Sequence, residues 1–235
     1  MEALSALREI YRGAERWEEL IATLRKLIPL QTSAEGVKEI RFELAEVFLS
    51  KLNQTDDAIE SAKRVLDVEP HTPGELMRLE EIFESTGAFG ETVRVMNLRA
   101  DEAKTRGEKC EIFFEIAKIY EEKIHRRTGA ANAYEKILEL EPTSHKAYDA
   151  LAEVYEKNGD YRKLVELINR RLEVTEQAES RRDLLFRIID IQERWLGVPE
   201  LAFTAACRAC AEEGADEEAQ ALAERRADET DNWEI

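Results

Sequence analysis

The sequence predicts an all-α chain of repeated helical hairpins, and three observations carry that reading. Sliding the 235-residue chain against itself brings out one offset, 72 residues, that holds from end to end. Trp17, Phe89, Tyr161 and Trp233 fall into line, as do Phe42, Phe114 and Phe186; Leu44, Ile116 and Ile188; Ala58, Ala130 and Ala202; Leu7, Leu79 and Leu151; and Pro70 with Pro142. Apolar residues recur at three- and four-residue steps, the spacing of a helix with one buried face, and no period-two strand pattern occurs. Turn formers are scarce, with Gly 10 and Pro 5 in the whole chain, and they gather between the periodic stretches.

Similar patterns begin around Leu4, Arg41, Leu76, Phe113, Tyr148 and Leu185, alternately 37 and 35 residues apart, so each 72-residue unit is a tandem pair of hairpins. The repeats run 1–33, 34–70, 71–106, 107–142, 143–178 and 179–214, with a partial repeat over 215–235. In the first, Trp17 opens the second helix. In the second, Leu44, Ala45 and Phe48 mark the first helix, Asn53-Gln54-Thr55 is a turn, and the run from Glu69 to Gly74 closes the repeat. The third breaks at Thr86-Gly87 before Phe89. The fourth places Phe113, Ile116, Ala117 and Tyr120 on its first helix, then Ala130, Tyr134 and Ile137, and closes at Pro142. The fifth turns at Asn158-Gly159-Asp160, and the sixth at Gly197-Val198-Pro199. About thirteen helices result, with a fourteenth starting at Asp231.

The segment from Ala147 to Arg170 resembles a tetratricopeptide repeat, because Tyr148, Leu151, Ala152 and Tyr155 occupy that family's first-helix signature and Gly159, Tyr161 and Leu164 continue it. The fourth repeat is similar, through Phe113, Ile116, Ala117, Tyr120, Ala130, Tyr134, Ile137 and Pro142. The other hairpins depart from the pattern: Arg41 stands where a large apolar residue is usual, Arg8 and Glu80 where a small one is, and Gln192 where Tyr155 sits. The resemblance implies a right-handed α-solenoid of about six helix-turn-helix repeats over the whole chain. It also implies a non-enzymatic scaffold that binds partners on a concave surface lined by the first helices. Such hairpins gain stability by stacking on neighbours, so an uncapped end implies a longer array, or ends covered by a partner or another copy.

Thirty-four Lys and Arg against 51 Asp and Glu give a net charge of −17. That surface repels nucleic-acid phosphates and anionic lipid and complements a basic partner. No stretch is long and apolar enough to span a membrane and no leader pattern opens the chain; three cysteines fit a reducing compartment, and a cytoplasmic location is expected. His71, His125 and His145 lie in different hairpins. No phosphate-cradling loop and no His-Glu-x-x-His pattern occurs, so neither catalysis nor a cofactor is expected. Cys207 and Cys210 leave a thiol or metal role as an alternative. The pair lies about two turns inside a helix starting near Pro199 rather than at its N-terminus, and Cys210 aligns with Leu66 and Leu138, which reads as structural.

Projection at about 100° per residue gives each first helix a face away from its core. Glu39, Phe42 and Glu46 share one such face; Glu111, Phe114 and Lys118 are its equivalent, then Asp183, Phe186 and Asp190. Between them fall Met77 with Glu81, and Asp149 with Glu153. This acidic row, with a phenylalanine in alternate hairpins, is the expected groove for a basic or amphipathic segment, at roughly micromolar and salt-sensitive affinity. Two alternatives stay open: a solvated face with the rings wedged between hairpins, and a self-assembling module joined through its ends. Tetratricopeptide proteins that grip an acidic chaperone tail use Lys, Arg and Asn here, so the carboxylates exclude that ligand.

Overall fold

Two alternating kinds of turn write the 72-residue period into the backbone. The computed structural model describes residues 2–211 together with 220, 221, 224 and 225. Twelve α-helices lie among them: α1(Glu2–Gly13), α2(Trp17–Leu27), α3(Ala34–Ser50), α4(Thr55–Leu66), α5(Pro73–Ser85), α6(Phe89–Glu102), α7(Arg106–Ile119), α8(Arg127–Leu140), α9(His145–Asn158), α10(Tyr161–Val174), α11(Ala178–Ile191) and α12(Pro199–Ala211). No strand occurs among the described residues, and the architecture is an all-α solenoid of helical repeats. The helix expected at Asp231 lies outside the described residues, as does most of the partial repeat.

Where α1, α5 and α9 end, residues Glu15, Gly87 and Gly159 take left-handed φ values of 54°, 72° and 73°. The chain is then closed by an N–H bonding back five residues: Arg16 to Tyr11 O at 2.9 Å, Ala88 to Phe83 O at 2.8 Å, Asp160 to Tyr155 O at 2.9 Å. Beyond α3, α7 and α11 the left-handed residues are Asn53, His125 and Gly197. Here the closing bond spans six residues: Gln54 to Phe48 O at 2.8 Å, Arg126 to Tyr120 O at 2.9 Å, Val198 to Gln192 O at 3.0 Å. α7 and α11 reach this wider turn through a turn of π-helix, Tyr120–Ile124 and Gln192–Leu196. Alternate hairpins therefore differ in length, and the true repeat is the pair.

Helix starts are encoded locally. Thr72 and Glu75 form a reciprocal capping box at α5, with Pro73 in the first turn. Thr105 and Glu108 exchange the same two bonds at α7, both 3.2 Å, and Ser33 caps α3 through the Gly36 N–H at 3.1 Å.

The chain divides into two compact units, one of residues up to Ile112 with Glu122–Ile124, the other of Phe113–Glu121 with the residues from His125 on. In the first unit α3 is buried on two sides. Ile40, Leu44, Val47 and Phe48 join Leu20, Leu24 and Leu27 of α2. Phe42 and Ala45 join Ala62, Val65 and Leu66 of α4 and Leu76, Leu79, Ile82 and Phe83 of α5. Each large side chain so buried contributes about 1.5–3 kcal/mol of transfer free energy. The second unit builds its core from Tyr134, Ile137 and Leu138 of α8, Leu151 and Tyr155 of α9, Leu164 and Ile168 of α10, and Leu185 and Ile188 of α11.

Charged groups complete this packing. Lys38 is only 3% exposed; its ammonium donates to the Glu75 carboxylate at 2.9 and 3.1 Å and to Pro70 O. α1 buries no residue fully. Arg8 and Arg12 tie it to the buried Glu43 carboxylate of α3. Glu80 pairs with Arg99, and the Arg41 guanidinium donates to Arg64 O. Another clasp recurs once per period: Lys51 stands over the Trp17 ring at 5.3 Å, Lys123 over Phe89 at 5.9 Å, and Trp195 stacks on Tyr161 at 4.5 Å.

Gly159→Ala, which forces a Cβ into the left-handed region, costs about 1–2 kcal/mol, whereas Glu15→Gly gains up to about 1 kcal/mol, both read from urea midpoints. Burial of Glu75 opposes its ionisation, but the Thr72 N–H and Lys38 outweigh it and hold the carboxyl below its ordinary value. A depressed pKa contributes stability above the unfolded value, about 4.3, and loses it as pH falls through the folded pKa. Glu75→Gln therefore loses stability at neutral pH and has a flatter stability profile below about pH 5 than the wild type.

Candidate partner-binding faces

The expected groove residues lie on first helices, and the structure shows what surrounds each. On α3, Glu39 and Glu46 are exposed, but both are engaged by Arg78 of α5, at 3.1 Å and 2.6 Å. The same guanidinium lies over the Phe42 ring, 4.2 Å from its centroid. Phe42 is 1% exposed and packs in the α3–α5 core, so this ring is wedged between hairpins rather than open to a partner. Met77 of α5 is 62% exposed, with the exposed Glu81 one turn further along. Glu81, and Glu111 on α7, have no ion-pair partner among the described residues.

In the second unit Phe114 is half-buried, edge-on to Tyr134 at 6.0 Å and covered by the Lys146 ammonium at 4.2 Å. Lys118 is exposed on the same helix. Asp149 pairs with Arg171 of α10 at 2.6 Å, and Glu153 with Lys157 at 2.5 Å along α9. On α11, Asp190 pairs with Arg194 at 2.7 Å in an exposed i, i+4 contact. Asp183 is exposed, Phe186 is half-buried, and among the described residues neither an ion-pair partner for Asp183 nor a cation over Phe186 occurs. Asp183 borders a cleft of about 700 Å³ that Ser180, Leu184, Arg187, Arg171 and His145 also line.

The cations over these faces were the part missed from sequence. Projection treats each helix alone, whereas Arg78 and Lys146 reach across from the next first helix. One inter-hairpin pair also reverses its sign: two periods after Arg12–Glu43 stand Glu156–Arg187, paired at 2.5 Å. A charge pattern that swaps partners preserves the contact while hiding it from residue-by-residue alignment.

Cys207 and Cys210 are both half-buried on α12, so Cys210 is not the core residue its alignment with Leu66 and Leu138 implied. Burial, and then the neighbouring Cys207, push the Cys210 thiol up, which disfavours the thiolate that metal or redox chemistry uses. No cluster of three or more His, Cys, Asp or Glu suited to a metal ion occurs among the described residues. His71 Nε2 lies 3.0 Å from Leu66 O and His125 Nδ1 3.0 Å from Glu121 O, each spent on its own turn.

Models of the tetratricopeptide repeat match residues 3–36 and 133–165. Among solved structures, the chain is similar to a tetratricopeptide repeat protein from Parabacteroides merdae, at 14% identity over 96% of this chain and 98% of that one, with a TM-score of 0.40. It is also similar to MamA, at 18% identity over 71% and 93% with a TM-score of 0.36. PilF of Pseudomonas aeruginosa is similar at 15% identity over 95% and 98%, TM-score 0.34. No curated protein matches the chain.

Proposed function

Because the chain is built from tetratricopeptide repeats, we propose that it is a non-enzymatic scaffold whose first-helix faces dock a basic or amphipathic segment of a partner protein. Tetratricopeptide repeats generally mediate protein–protein interaction, and no described helix is long and apolar enough to cross a membrane. The observation that carries the basic partner is a surplus of exposed carboxylate. Glu81, Glu111 and Asp183 stand on these faces without an internal cation among the described residues, in a chain of net charge −17. Exposed pairs contribute only about 0.2–1 kcal/mol each, so several together with apolar contact from Met77 give roughly micromolar binding that weakens with salt.

A labelled amphipathic peptide of alternating Lys and Leu, titrated by fluorescence anisotropy, tests this. The wild type binds it and loses affinity on raising salt from about 50 to about 300 mM, while an acidic peptide of equal length does not bind. The folded variant Glu81→Lys/Glu111→Lys/Asp183→Lys binds about tenfold or more weaker. Unchanged affinity in that variant would overturn the reading.

A second reading, self-association, is favoured by the apolar face of α1, where Leu7 is 36% and Ile10 60% exposed. Their equivalents one period on, Leu79 and Ile82, are 0% and 5% exposed beneath α4. Sedimentation equilibrium discriminates: mass that rises with concentration and returns to monomer in Leu7→Glu/Ile10→Glu supports it, and a concentration-independent monomer contradicts it.

A further inference from the structure

We propose that the α11 face formed by Asp183, Phe186 and Asp190 is a seat for an arginine side chain of the partner segment. The proposal rests on the docking reading above and names the residue that the acidic faces select. Its warrant is an occupied copy of the same arrangement. On α3, two carboxylates and a phenylalanine at i, i+3 and i+7 hold one guanidinium: Arg78 bonds Glu39 at 3.1 Å through Nη1 and Glu46 at 2.7 Å through Nε, with its plane centre 4.2 Å from the Phe42 ring. Two periods on, Asp183, Phe186 and Asp190 repeat that spacing and chemistry.

Among the described residues the two copies differ in what fills them. In sequence, the position two periods after Arg78 is Leu222. Phe186 is half-buried where Phe42 is 1% exposed, and Asp183 is exposed without a partner among the described residues. Two arginines near Asp183 are engaged with the preceding hairpin, Arg171 with Asp149 at 2.6 Å and Arg187 with Glu156 at 2.5 Å. Arg194 holds Asp190 in a pair exposed on both sides, which an incoming guanidinium displaces at little cost.

Arginine is selected over lysine for a geometric reason. A guanidinium presents its edge N–H groups to two carboxylates while its flat face lies on a ring; an ammonium offers a point charge and cannot do both.

The test uses two peptides, (Gly-Arg)4 and (Gly-Lys)4 amides, titrated into the full chain by calorimetry at about 20 mM salt, where screening is weak. The wild type binds the arginine peptide about fivefold or more tightly. Phe186→Leu reduces that preference to near one while changing lysine-peptide affinity by less than about twofold, and Asp183→Asn, at an exposed position that leaves the core intact, weakens the arginine peptide about threefold or more. Equal binding of the two peptides by the wild type, or a preference that survives both variants, overturns the arginine seat. If the peptides bind equally and both are lost in the triple charge reversal, the seat fails and the acidic docking face stands. If neither binds, both fail.

Discussion

A two-helix hairpin has more apolar surface than it can hide by folding on itself, and every other feature of this chain follows from that constraint. α3 makes the consequence visible. Ile40, Leu44 and Phe48 face the hairpin before it and Phe42 and Ala45 the one after. Such a helix has apolar residues over most of its circumference, which leaves a narrow strip for solvent. On α3 that strip carries the exposed Glu39 and Glu46.

Charges in this molecule therefore do two different jobs. Some lock hairpins together in places where the apolar face is thin: α1, with no fully buried side chain, is attached through Arg8 and Arg12 to Glu43, and Lys38 reaches Glu75 and the Pro70 carbonyl under almost complete burial. Removing Glu75 leaves the Lys38 ammonium buried and costs about 3–5 kcal/mol. Others stand at the surface and contribute little to stability, which frees them for recognition. Arg78 belongs to both groups, because it lies across Phe42 as packing and neutralises two surface carboxylates as chemistry.

Much of this was legible before any coordinates. The offset that lines up Phe42, Phe114 and Phe186 identified the paired hairpins, and Gly87, Gly159 and Gly197 marked three of six left-handed turn residues. Glu15 and His125 adopt the same conformation without being glycine, so composition could not flag them. The turn at Asn53 is legible in the sequence but its wider kind is not, since that width lies in one extra backbone residue per closing bond. The acidic faces were legible as faces, but their occupancy was not: Arg78 and Lys146 come from the following first helix, and only packing brings them over Phe42 and Phe114. The sign reversal from Arg12–Glu43 to Glu156–Arg187 hid for the same reason.

On the docking proposal, one arrangement of two carboxylates and a phenylalanine serves the chain's own packing on α3 and a partner on α11. The most direct measurement is the binding stoichiometry of the (Gly-Arg)4 peptide in the variant Arg78→Ala, which vacates the α3 copy. The account predicts that the wild type takes up one peptide per chain and that Arg78→Ala takes up two, the added site vanishing when Glu39→Gln and Glu46→Gln are combined with it. A variant that is folded and still binds one peptide, with no change in affinity, would contradict the equivalence of the two faces and with it the central claim.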